Sequence, residues 1–197
     1  MRWLILGGVV SIGGLVAFAS RLPDPPATKL DQLTRKAPIT RTFVFPVGEE
    51  GSASGYYDAQ PFGQNLHLGS DWNGAGGGNS DLGDPVVAIA SGVVVGARDH
   101  RGGWGRVVRI AHNIGTRAEP RFVESVYAHL DSMRVRPGAI VRRGQRIGTI
   151  GNAHGKYWAH LHLELRAKLG LPLGRGYSKK TAGFLDPTPF IRARLPK

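Results

Sequence analysis

Two histidines stand two positions apart in WAHLHLEL, residues 158–165. In an extended strand, residues i and i+2 share a face, so His160 and His162 present their imidazoles side by side. Leu161, Leu163 and Leu165 take the opposite face and can be buried. Such a pair has two readings: a metal or catalytic site, or the polar face of a half-exposed strand. Glu164 falls on the histidine face, either as an acceptor for a ligand histidine's far ring nitrogen or as an ordinary surface carboxylate. In HLGSD, residues 67–71, three residues separate His67 from Asp71, and Gly69 lets the backbone turn so that both can reach one ion. A neutral imidazole and a carboxylate suit zinc. In YAHL, residues 127–130, His129 ends a strand-like run. None of the three is specific alone. His112 reads as a structural strand-end residue and His100 as a turn residue, while His154 lies six residues before His160.

The elements that must position these groups read as short strands. Alternating or apolar runs punctuated by glycine occur at 41–47, 85–98, 105–112, 122–130, 145–151 and 160–166. ASG at 90–92 and RRGQ at 142–145 mark tight turns. Asp186 followed by Pro187 is an N-cap and first-helical-position pair, which predicts a short closing helix. Two long loops remain: a glycine-rich one at 73–83, and a flexible, basic one at 167–184. The expected fold is all-β and mainly antiparallel, with two packed sheets forming a groove.

The chain has no cysteine, which excludes disulfides, thiolate zinc sites, cysteine nucleophiles and a lipid-modified cysteine. Its net charge of +12 is unevenly placed. Residues 1–132 carry 12 Lys and Arg against 12 Asp and Glu; residues 133–197 carry 14 against 2. A basic C-terminal third fits an anionic wall polymer or membrane surface, and no motif points to nucleic acid. Residues 3–19 hold no charge and end in AFA before Ser20, which reads as a signal peptide or an N-terminal membrane anchor over 1–19. Arg21, Lys29, Arg35 and Lys36 mildly oppose export of the following side, yet export is the reading adopted. Residues 20–40, with three prolines in 23–26, read as a linker, 41–190 as the domain and 191–197 as a basic tail.

Taken together and in order, HLGSD, YAHL and HLHLE resemble the motifs of the lysostaphin-type (LytM-like) zinc metallopeptidases, endopeptidases of bacterial peptidoglycan. The resemblance covers roughly residues 42–190. It implies one zinc ion held by His67, Asp71 and His162, with His129 and His160 as two catalytic histidines that are not ligands. Three protein ligands leave a fourth position for the water that such hydrolysis activates. No HExxH is present, so an imidazole pair stands where other zinc peptidases use glutamate. The implied protein is exported, lying in the periplasm or cell envelope. A second implication is a non-catalytic wall-binding or amidase-activating module of the same fold. The chain departs from the family just before the last motif, where Tyr157, Trp158 and Ala159 replace small polar residues and a proline. Tyr157 and Trp158 are therefore candidate substrate contacts, against a peptide or a sugar face at the cleft edge, or else they pack under the strand.

Overall fold

The computed structural model describes residues 28–197; the expected signal peptide or anchor at 1–19 lies outside them. Eleven strands form two antiparallel sheets. The larger takes β1 (Tyr56–Gln60), β2 (Ser70–Gly74), β10 (Leu161–Arg166), β6 (Phe122–Leu130), β5 (Arg106–Asn113), β4 (Gly92–Asp99) and β8 (Ile140–Val141) in that order, with β11 (Phe184–Leu185) also paired to β10. The smaller sheet is β3 (Pro85–Val87), β9 (Arg146–Thr149) and β7 (Ser132–Met133). The fold is all-β, closed by α2 (Pro187–Arg192), whose Asp186 side chain accepts from the Thr188 N–H as its cap.

The core lies against one face of the large sheet. Leu161, Leu163 and Leu165 are fully buried there with Ile89, Ile110, Tyr127 and Ile147, each aliphatic side chain contributing about 1.5–3 kcal/mol. The alternation seen in the sequence is thus realised. On the other face of β10, His162, Glu164 and Arg166 are also buried, beneath loops rather than beneath the second sheet.

Four expectations need correction. Residues 41–47 form no ladder, although Phe43, Phe45 and Val47 are core residues. Their N–H groups go to scattered acceptors, Phe43 to Arg194 O, Val44 to Ile89 O and Phe45 to Gly51 O, and Pro46 has none to give. Residues 28–40 of the expected linker include α1 (Lys29–Thr34), started by a capping box between Thr28 and Asp31. The expected basic tail at 191–197 starts inside the domain, because Ile191 is fully buried and Arg194 O holds Phe43. Finally, β1 and β2 are strands that polar, glycine-flanked YYDAQ and SDWNG did not announce.

Candidate metal and catalytic centre

Strand register brings the centre together. On β10, His162 is directly opposite Asp71 of β2 on one side and Ala128 of β6 on the other. Glycine at 69 has a different role from the turn expected of it. Its φ is not positive, but a Cβ there would lie 2.6 Å from Leu163 O and 2.9 Å from His162 Cε1, so only glycine permits β2 and β10 to approach this closely.

His129 reaches the centre through a β-bulge. Pairing of β5 with β6 runs from Val108–Tyr127 to Arg106–Leu130, so β6 carries one extra residue, and His129 has φ +62°. Strict alternation would put His129 on the core face with Tyr127. The bulge leaves Tyr127 and Leu130 in the core and turns His129 to the opposite, cleft-lining side.

Hydrogen bonds fix the imidazole tautomers. His67 Nδ1 is 2.9 Å from Gln60 O, and a carbonyl only accepts, so Nδ1 carries the proton and Nε2 the lone pair. His162 Nε2 is 3.3 Å from Glu164 Oε1, so its N–H donates there and Nδ1 is the free acceptor. These two bare nitrogens are 3.0 Å apart. Asp71 Oδ1 lies 2.8 Å from His162 Nδ1 and 3.4 Å from His67 Nε2. Three acceptors therefore converge on one point, and only positive charge relieves them. Burial raises the Asp71 pKa, but the His162 and His67 imidazoles drawn up against the carboxylate outweigh it and hold the carboxyl well below the usual range. Burial lowers the His162 pKa, but Asp71 and Glu164 lift it to about 9, so a second proton sits on Nδ1 against Asp71 wherever no other cation takes that place. Tetrahedral zinc with bonds of about 2.0–2.1 Å spaces its donors about 3.3 Å apart, so the triangle fits that ion after opening by a few tenths of an ångström. Among the described residues this is the one cluster of three donors suited to a metal ion.

Beside the triangle lie the other two histidines. His160 Nδ1–H donates to Trp158 O at 2.9 Å, which leaves Nε2 as an acceptor 3.9 Å from Asp71 Oδ1. His129 is 4.7 Å from His160, ring centre to ring centre, and 5.1 Å from Tyr157. Burial, then the neighbouring His162 and His160, push its pKa well down, and its buried Nδ1 has no protein partner.

Glu164 is wholly buried, which removes the surface reading. Its Oε2 accepts from Nε and Nη2 of Arg166, also wholly buried. Arg166 Nη1 donates to Leu171 O, as does Arg109 Nη2, while Gly170 N–H donates to Glu124. Trp104 Nε1–H reaches Gly174 O, and Leu68 N–H reaches Gly176 O. The part of loop 167–184 nearest the centre, expected to be flexible, is thus tied down at several points. Arg166 escaped the sequence reading although it continues the i, i+2 series of His160, His162 and Glu164. Gln60 escaped because it acts through its backbone, and Trp104 and Tyr177 because they sit on loops without a period.

A groove crosses the centre in two arms that share Gln60, Asp71, Tyr157 and His160. One, of about 760 Å³, runs past Asn73, Asn79 and Asn152 to Trp158. The other, of about 510 Å³, runs under Trp104 and Tyr177 with Arg175 at its side. All expected site residues therefore border one groove or support its floor. The other histidines stand apart: His112 is bonded to Ser91 O and Ser125 Oγ, and His154 pairs with Asp99.

The sequence pattern of peptidase family M23 matches residues 65–173, more than half the chain and the whole centre. The chain belongs to that family. Among M23 relatives, lysostaphin from Staphylococcus staphylolyticus is 30% identical over 139 residues, 70% of this chain and 25% of lysostaphin. The murein hydrolase activator NlpD of Escherichia coli is 36% identical over 98 residues, 47% of this chain and 24% of NlpD. The chain thus spans about a quarter of each of these relatives. A zinc-containing peptidase from Vibrio cholerae shares the fold at 25% identity with a TM-score of 0.51, over 79% of this chain and 41% of that one.

Proposed function

We propose that the protein is a zinc-dependent endopeptidase that hydrolyses peptide cross-links of bacterial peptidoglycan. The observation that carries this reading is the convergence of three metal-ligand atoms, on His67, Asp71 and His162, beside the Nε2 of His160 in an open groove. In this reading those three residues hold one zinc ion. Zinc there supplies a Lewis acid and lowers the pKa of a coordinated water from about 15.7 towards about 7.

The chain's own residues do the rest. His160 accepts the water's proton at Nε2, because Trp158 O keeps the other ring proton in place. His129, aimed by the bulge, donates an N–H to the developing oxyanion, and the proton taken up by His160 passes to the leaving amine. Glu164 holds the His162 ring by its Nε2–H, and Arg166 holds Glu164. Tyr157 and Trp158 contact the substrate from the groove edge. The expected export and the name of the murein hydrolase activator relative support an envelope location. Exposed Arg134, Arg136, Arg142, Arg143 and Arg146 form the basic surface that would meet an anionic polymer or membrane.

The likeness to the murein hydrolase activator favours one second reading, a binding module that activates another hydrolase. One experiment separates them. The zinc-loaded full chain and its His129→Ala form are incubated with isolated sacculi, and the released fragments are read by mass spectrometry. Loss of cross-linked dimers with the wild type alone is the expected result. Intact dimers with both, despite stoichiometric zinc, would move the protein to the activator class.

A further inference from the structure

The longer arm of the groove has a chemistry of its own. Trp158 is 70% exposed, the most exposed of the large apolar side chains among the described residues. An indole left in water at the edge of a groove has most of its burial energy still to gain from a ligand that covers it. Its backbone is nevertheless fixed on both sides. Trp158 O accepts from His160 Nδ1–H at 2.9 Å, and the following Ala159 N–H donates to Asn79 Oδ1 at 2.8 Å. Tyr157 N–H donates to Asn152 O at 3.2 Å. With the backbone fixed, only the two side-chain torsions of the indole remain to be ordered when a ligand settles on it.

The polar lining completes the argument. Asn73, Asn79 and Asn152 border this arm, with Lys156 at its rim and no carboxylate apart from Asp71 at the inner end. Asn79 Oδ1 accepts from Ala159 N–H and Asn152 Oδ1 from Gly155 N–H. Only oxygen can accept there, so both Nδ2 groups, two N–H donors each, are left over for a ligand. A flat apolar face with neutral amide donors suits a ring that has an apolar C–H face and an equatorial rim of hydroxyl and acetamido oxygens. It suits a charged peptide terminus poorly, since Lys156 is the one cation on the arm. The other arm, with Arg175, differs in that respect.

We infer that the arm ending at Trp158 is a saccharide subsite, with the indole stacked on a pyranose ring of an N-acetylated amino sugar and the asparagine amides on its oxygens. The inference deepens the peptidoglycan reading and rests on it for the source of the sugar. The subsite joins the catalytic centre at His160, so a glycan held there places an attached peptide across the triangle of donors.

The test is calorimetric titration of the zinc-loaded full chain with the tetramer of N-acetylglucosamine, which carries no peptide and requires no hydrolysis. Saturable binding is expected. Trp158→Ala should weaken it at least tenfold and Asn73→Ala about threefold, with zinc content unchanged in both as the check on folding. No saturable binding up to about 10 mM, or equal affinity in Trp158→Ala, overturns the proposal. So does a Trp158→Ala that loses affinity for a free stem peptide and not for the sugar. Sugar binding without sacculus hydrolysis would instead sink the peptidase reading and leave the subsite standing.

Discussion

Two places in the large sheet bury histidine, and they differ in what the ring nitrogens meet. His112 on β5 is fully enclosed, yet its Nδ1 faces Ser91 O and its Nε2 faces Ser125 Oγ, so both nitrogens are satisfied within the fold. At the other end of the same sheet, His67 Nε2, His162 Nδ1 and Asp71 Oδ1 crowd one point, and His129 keeps an unpartnered buried Nδ1. Burial is common to both regions. A buried ring nitrogen without a partner occurs in only one of them, and buried polar atoms are so consistently paired in proteins that such a histidine asks for an explanation. A structural histidine is complete without a ligand, whereas a chemical one is completed by it.

The sharpest way to break this contrast is to remove its members. His162→Ala is expected to lose both bound zinc and all hydrolysis, measured by elemental analysis and sacculus digestion. His129→Ala should keep its zinc and lose activity by about 10²–10⁴-fold. Full metal content in the first, or wild-type turnover in the second, would undo the division of roles between the histidines.

Support behind the ligands gives a smaller effect. Arg166→Met leaves Glu164 Oε2 buried without its cation, a loss of about 3–5 kcal/mol in stability. Adding Glu164→Leu should restore much of that stability. Zinc affinity should remain about 10–100-fold reduced in the double variant, because the His162 Nε2–H has lost its acceptor. Recovery of both together would show that the pair merely packs. Gly69→Ala tests the same ligand sterically: a Cβ 2.9 Å from His162 Cε1 must displace the ring, so zinc affinity is expected to fall at least about tenfold.

The mildest test addresses the satisfied region. Burial pushes the His112 pKa down to about 4 from the ordinary 6.5 of an imidazole. The folded state keeps the ring neutral while the unfolded chain takes up a proton, so the unfolded state binds more protons between those two values. This contribution is complete above pH 6.5 and is lost as pH falls towards 4, up to about 3 kcal/mol. Urea unfolding at about pH 7 and pH 4.5 should show it, and His112→Asn should flatten the difference. Equal slopes in the two proteins would contradict the assignment.

Much of this was legible in residue order. The leucines of β10 declared their face by alternation, and the three motifs pointed to residues that the fold does bring together. What could not be read came from long-range geometry. Alternation alone puts His129 in the core beside Tyr127, because the extra residue of the bulge appears only when β6 is paired with β5. Residues 41–47 have a strand-like composition, but their partners come from three different segments. Gln60 contributes a carbonyl, which every residue has, and Gly69 serves a contact with a strand some ninety residues away rather than a turn.

The bulge at His129 has one more consequence. β6 is a central strand, flanked by β5 and β10, and a slip of one position there would exchange its two faces. A single extra residue in left-handed conformation acts as a key that admits one alignment and rejects its neighbours. The residue that points an imidazole at the groove therefore also tells the sheet how to assemble. Anyone moving this centre to another scaffold must transplant the irregularity along with the side chains.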